Sequence, residues 1–175
     1  MMKRLLAALP LLALLAVPAS AQTFQEEMVR DLEAVAQKFI GLAEAMPESE
    51  YGWRPGEGVR SIGEVYMHIA LANAGLPGSF FGSDMPEDWE SAWQEQGEQY
   101  ADKAGVARAI RVAFDHLKSI VGGMSDAEME METNVFGRDT NFRAGLVLLL
   151  THSHEHLGQS IAYARTRGVT PPWSM

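Results

Sequence analysis

The chain has 175 residues, no cysteine and a formal charge of −9. Without cysteine it can form neither disulfides, thiolate ligands nor a thioether-linked haem, so any metal must rest on histidine, carboxylate or backbone. An acidic chain with no basic cluster also makes a poor partner for a phosphate backbone, which excludes nucleic acid as the expected ligand.

The first 21 residues read as a secretory signal peptide. Lys3 and Arg4 supply a positive start, Leu5 to Val17 is apolar, and Ala19-Ser20-Ala21 offers the small side chains that a signal peptidase selects. The apolar segment is shorter than a membrane span, and no second candidate follows. Cleavage after Ala21 is therefore expected. It leaves one domain over 22–175 in the periplasm or the medium, with no membrane attachment.

Phe24, Met28, Leu32, Val35, Phe39, Leu42 and Met46 recur at steps of three and four, the pattern of one amphipathic helix ended by Pro47. Glycines and prolines make 47–60 a loop. Ser61-Ile62-Gly63-Glu64 then matches a capping box and opens a second helix, with Ile62, Val65, Ile69, Ala72 and Leu76 as its stripe. His68 falls at the edge of that stripe, where a boundary histidine satisfied by hydrogen bonds is the commoner occupant.

Leu76 to Tyr100 is irregular, although Pro86-Glu87-Asp88 predicts a short helix that would put Trp89 and Trp93 on one face. They would pack over the bundle end or wall a pocket. Val106, Ile110, Ala113, Leu117 and Val121 mark a third long helix from about Asp102, stopped by Gly122-Gly123. His116 lies on its flank and reads as a surface residue, with a group that orients a metal ligand or a spare ligand as the other roles.

From Gly122 to Thr140 the chain is polar and acidic. Its methionines could attract copper, but the pattern fits a solvated connection better. Thr140 or Asn141 then caps a fourth helix of roughly seven turns, with Arg165 and Arg167 at its negative end and Gly168 as the stop.

That helix carries Thr151-His152-Ser153-His154-Glu155-His156. At about 100° per residue His152 and His156 share one flank, while His154 points about 160° away. Imidazoles one turn apart have Cβ atoms ~6 Å apart and can converge on one transition metal. The same spacing also suits a pair of partly buried, hydrogen-bonded histidines. Four amphipathic helices without convincing β alternation predict an all-α four-helix bundle, with a short extra helix between the second and third.

Trp53-Arg54-Pro55, then Gly58-Val59-Arg60-Ser61-Ile62-Gly63-Glu64 and His68, resembles the loop and second helix of the DinB-like superfamily. His152-x-x-x-His156-Leu157-Gly158-Gln159, continuing to Tyr163-Ala164-Arg165 and Gly168-Val169-Thr170-Pro171-Pro172-Trp173, is similar to its last helix and tail. The resemblance spans essentially the whole mature chain. It implies a four-helix bundle, often a homodimer, with His68, His152 and His156 holding a divalent ion such as zinc or nickel.

Three neutral imidazoles leave a tetrahedral ion one open position, the arrangement of catalytic sites. Water there is acidified, and a substrate thiolate is an alternative occupant. Gln159, Glu64 and Tyr163 are the candidates for a supporting or pocket-lining role, each with a purely structural alternative: an interhelical hydrogen bond, a helix cap and packing. The expectation is an exported metal-dependent hydrolase or thiol-type transferase acting on a small molecule. The competing function is a non-catalytic periplasmic metal buffer or carrier, aided by His154 and the methionine-rich acidic stretch. Mass spectrometry of the exported protein should place its N-terminus at Gln22, and a retained leader would contradict the signal-peptide reading.

Overall fold

The computed structural model describes residues 22–94 and 103–174. The leader expected over 1–21, the side chain of Trp93 and the expected helix start at Asp102 lie outside the described residues.

Helix α1 (Phe24–Ala45) opens with a capping box in which the Thr23 hydroxyl accepts the Glu26 N–H and the Glu26 carboxylate accepts the Thr23 N–H. Met28, Leu32, Val35, Phe39, Leu42 and Met46 are buried along it as the spacing predicts. A 3₁₀ turn (Glu48–Glu50) follows. The loop beyond is pinned by the buried Tyr51 hydroxyl, which donates to the Ala43 carbonyl at 2.8 Å.

Helix α2 (Ile62–Phe81) begins where expected, and its first three N–H groups all find partners. Ile62 and Gly63 donate to the carbonyls of Trp53 and Tyr51, and Glu64 to the Ser61 hydroxyl. The helix does not fade after Leu76 but runs through Pro77 to Phe81, and Gly82 ends it at φ 72°. Proline removes one backbone bond, but Pro77 and Phe80 are both buried, and that packing offsets the loss.

The expected short helix is α3 (Trp89–Gln94), with Trp89 buried in the core. Helix α4 (Lys103–Gly123) buries Val106, Ile110, Ala113, Leu117 and Val121, and its two glycines form its last turn. His116 is half-buried rather than on the open surface: its Nε2 is enclosed without a hydrogen-bond partner among the described residues, and the side chain is hydrogen-bonded to the backbone of Asp84 in the loop after α2.

The stretch expected as a solvated connection is ordered. Ser125 and Glu128 form a third capping box, which starts α5 (Asp126–Met129). Met129 is buried and so is no surface donor for copper. Strands β1 (Glu132–Val135) and β2 (Arg138–Asn141) pair antiparallel, Val135 opposite Arg138, around Phe136 and Gly137.

Both turn residues have positive φ, 51° and 86°, as a two-residue hairpin of this hand requires. Asn134 holds the turn, accepting from the Gly137 N–H and donating to Asp139, each at 2.7 Å. The Thr133 hydroxyl caps the end of α2 by donating to the Phe80 carbonyl at 2.6 Å.

Helix α6 (Phe142–Thr166) starts at Asn141, whose side chain accepts the Ala144 N–H. It closes with Gly168 at φ 76° and the paired bonds Val169 N–H to Ala164 and Gly168 N–H to Arg165.

The four long helices pack in a ring, α1 beside α4, α4 beside α2, α2 beside α6 and α6 beside α1. Helices α1 and α2, consecutive in the chain, therefore sit across a diagonal, and the connection between them crosses over. Contacts of His68 with His152 and His156, of Asn73 with Ser153, and of Phe80 and Phe81 with Gly145 show that α2 and α6 run antiparallel. Among the described residues no helix is long and apolar enough to cross a membrane.

Asn73 is fully buried and donates to the Ser153 hydroxyl at 3.2 Å, while that hydroxyl donates to the Leu149 carbonyl at 2.9 Å. Asn73→Ala deletes volume and a buried hydrogen bond, so it should cost about 1–3 kcal/mol. At roughly 2–4 °C per kcal/mol, Tm should fall by several degrees, readable by circular dichroism, whereas an unchanged Tm would remove the pair from the list of stabilising contacts.

Candidate metal centre

His68 projects from the second turn of α2, and His152 and His156 from the middle of α6, into the seam where those helices meet. All three are half-buried. One ring nitrogen from each lies within 4.8 Å of the others. The ring centroids are 4.6, 4.7 and 5.2 Å apart, with interplanar angles of 76–88°. The rings thus meet edge to face instead of stacking, so their nitrogens converge.

The closest pair is His68 Nε2 and His152 Nε2, at 3.3 Å. Two nitrogens bound at ~2.0–2.1 Å to one tetrahedral ion stand about 3.3 Å apart, so this separation suits shared ligation. Three imidazoles without a thiolate form a donor set that accepts zinc, nickel, copper or iron. Neutral rings are the form that ligates. Burial, then Arg60, then the other two histidines push His68 down to about 4. Burial first and His156 second hold His152 below the ordinary histidine range, against a smaller upward pull from Glu155.

His156 is oriented from behind. Its Nδ1 stands 2.8 Å from Gln159 Oε1, and Gln159 Nε2 donates to the Tyr163 hydroxyl at 2.8 Å. With the proton on Nδ1, Nε2 is left with its lone pair for an ion. Tyr163 is in turn buried against Trp53, edge to face at 5.5 Å, and Trp53 lies beneath the Arg167 guanidinium, which pairs with Glu50 at 2.6 Å. His152 has no such support, because its buried Nδ1 has no partner among the described residues.

Gln159 lies on the His152 flank of an ideal helix, yet its side chain reaches His156, three residues back. Glu64 lines the cleft in front of His68, but its carboxylate is engaged, accepting the Ser61 N–H at 2.6 Å and the Arg54 guanidinium at 3.0 Å. Those two contacts, the Ser61 N–H first, hold its carboxyl below the usual range. His154 is exposed, and His116 is on α4 outside the cluster. Sequence reasoning passed over the cleft itself, an open cavity of about 360 Å³ lined by Arg54, Val59, Arg60, Met67, His68 and Leu71. The arginines lie in the same Trp53–Glu64 segment that carries the capping box, a signal already in view.

A four-helix bundle with a three-histidine cluster across two antiparallel helices is the class of protein that this architecture defines. The family model described as the DinB superfamily matches residues 31–160, and the chain belongs to that superfamily.

Solved structures agree in fold. YfiT from Bacillus subtilis, described as a probable metal-dependent hydrolase with an unusual four-helix bundle topology, superposes with a TM-score of 0.65 at 19% identity, over 87% of this chain and 94% of that one. A DinB-like protein from the same organism, YjoA, gives 0.62 at 19% identity, covering 82% and 93%. A DinB-like protein from Bacillus cereus gives 0.59 at 18%, covering 84% and 95%. At such identity the likeness carries the fold alone. No curated protein matches the chain significantly.

Removing the group that orients a ligating histidine costs about 10–100-fold in metal affinity. Gln159→Ala should weaken zinc binding by that factor in a chelator competition, with a circular dichroism spectrum like that of the unaltered protein. Equal zinc affinity in the two proteins would reduce Gln159 to a packing residue.

Proposed function

We propose that this protein is an exported, metal-dependent enzyme of the DinB superfamily, which holds one divalent ion, zinc or nickel, through His68, His152 and His156 and hydrolyses a small molecule. The observation that carries the reading is the convergence of three ring nitrogens within 4.8 Å at the edge of an open cleft. The description of YfiT as a probable metal-dependent hydrolase supports the reaction class. The leader-like first 21 residues support the export part of the reading.

When bound, a divalent ion with three imidazole ligands supplies Lewis acidity and lowers the pKa of a water at its open position towards neutrality. The chain's own residues do the rest. Desolvation keeps His68 and His152 neutral, so that protons do not compete for the donor nitrogens. Gln159, steadied by Tyr163, keeps the His156 proton on Nδ1 and the ring turned to the other two histidines. Glu64, engaged by Arg54 and Ser61, anchors the first turn of α2, one turn ahead of His68. Val59, Met67 and Leu71 give the cleft an apolar wall for the substrate.

The test is metal analysis of protein purified without a histidine tag. About one ion per chain is expected, lost in His68→Ala and His152→Ala and retained in His154→Ala. Full metal content in the first two variants would overturn the assignment. Slow exchange of the ion with a chelator, together with turnover of an ester or amide by the loaded protein, separates an enzyme from a carrier. Rapid exchange without turnover would favour the carrier.

A further inference from the structure

The charge around the three histidines is unbalanced. Neutral imidazoles bring no negative charge to a divalent ion, and the carboxylate beside the cleft, Glu64, is already paired with Arg54. Glu155 influences His152 but stands exposed on α6. Arg60 then adds a further cation. It lines the same cleft as His68. Among the described residues it has no carboxylate partner. Its backbone is fixed, since Ser61 is the buried N-cap of α2 and Arg54 donates to the Val59 carbonyl at 3.0 Å.

An unpaired guanidinium at the rim of a metal seat, in a chain that is acidic as a whole, is a fork waiting for an oxyanion. We propose that the substrate of this cleft is a small carboxylate-bearing molecule, whose carboxylate accepts from Arg60 while the rest of it lies against Val59 and Leu71 towards the histidines.

Apart from the ion, one unpaired guanidinium offers a single fork, which the two oxygens of a carboxylate fill. A phosphate would leave a further oxygen without a side-chain donor, because the other guanidinium of the cleft is held by Glu64. The exposed apolar flanks of Val59 and Leu71, at 37% and 43%, suit a short hydrocarbon portion. A cavity near 360 Å³ is at the small end of the ligand-site range of about 300–1,000 Å³. The proposal takes its site from the preceding reading but makes a separate claim about Arg60.

The probe is butyrate, with butyramide as its uncharged counterpart, titrated by calorimetry or by amide chemical shifts into metal-free and zinc-loaded protein. Butyrate should bind the unaltered protein about tenfold or more tightly than it binds Arg60→Gln, with partial recovery in Arg60→Lys, because charge-assisted hydrogen bonds are worth roughly that much. Its affinity should fall with added salt, since the guanidinium is solvent-facing. Butyramide should show no dependence on residue 60, and the zinc content of Arg60→Gln should equal that of the unaltered protein. Equal butyrate affinity in the unaltered and Arg60→Gln proteins overturns the proposal and leaves metal binding untouched. Arg60-dependent butyrate binding by a protein that takes up no zinc upholds it and removes the metal instead.

Discussion

The register of α2 against α6 is the constraint on which the rest of this structure depends. The two helices contribute one and two histidines respectively, and the rings meet only because the helices run antiparallel in a single alignment. Sliding either by one turn would carry its histidine about 5.4 Å along the axis, well beyond a metal–nitrogen bond of ~2.1 Å. Two features hold the alignment. Asn73 and Ser153 hydrogen-bond inside the core, where displacement would leave polar groups without water or partner. Gly145 lets the Phe81 ring lie 2.9 Å from where a Cβ would stand, so the helices close tightly at the end away from the histidines.

Much of this was legible in the sequence because the signals are local. The stripe of α4 is buried residue for residue and that of α1 from Met28 onward, with Phe24 partly buried at its start, and the capping box at Ser61 starts α2 where the four letters place it. The i, i+4 pair on α6 fixed which two of its three histidines could act together, and His154 is exposed as the helical angle requires. What periodicity could not supply was the partner helix. His68 has no local relation to His152, and in the sequence only the likeness to a family groups the three.

The misreadings have equally physical causes. Pro77 suggests a helix end, but burial of Phe80 beyond it keeps α2 intact to Phe81. The hairpin is short and mostly solvent-facing, so Glu132 to Asn141 lacks the alternation that marks a half-buried strand. The better clue was Gly137 between Thr133-Asn134-Val135 and Thr140. His116 seemed a surface residue because its own helix leaves it at the flank, whereas the backbone of Asp84, remote in sequence, hydrogen-bonds its side chain.

The glycine turn after α6 sends the last described residues back across α1, where the Pro172 ring rests 3.8 Å from the position of a Gly41 Cβ and the Lys38 ammonium lies over Trp173. Arg167, one residue earlier, is tied to Glu50 and covers Trp53, the neighbour of Tyr163. The segment that returns after α6 is therefore mechanically joined to the buttress behind His156. An insertion between Gly168 and Pro171 would pull on that buttress.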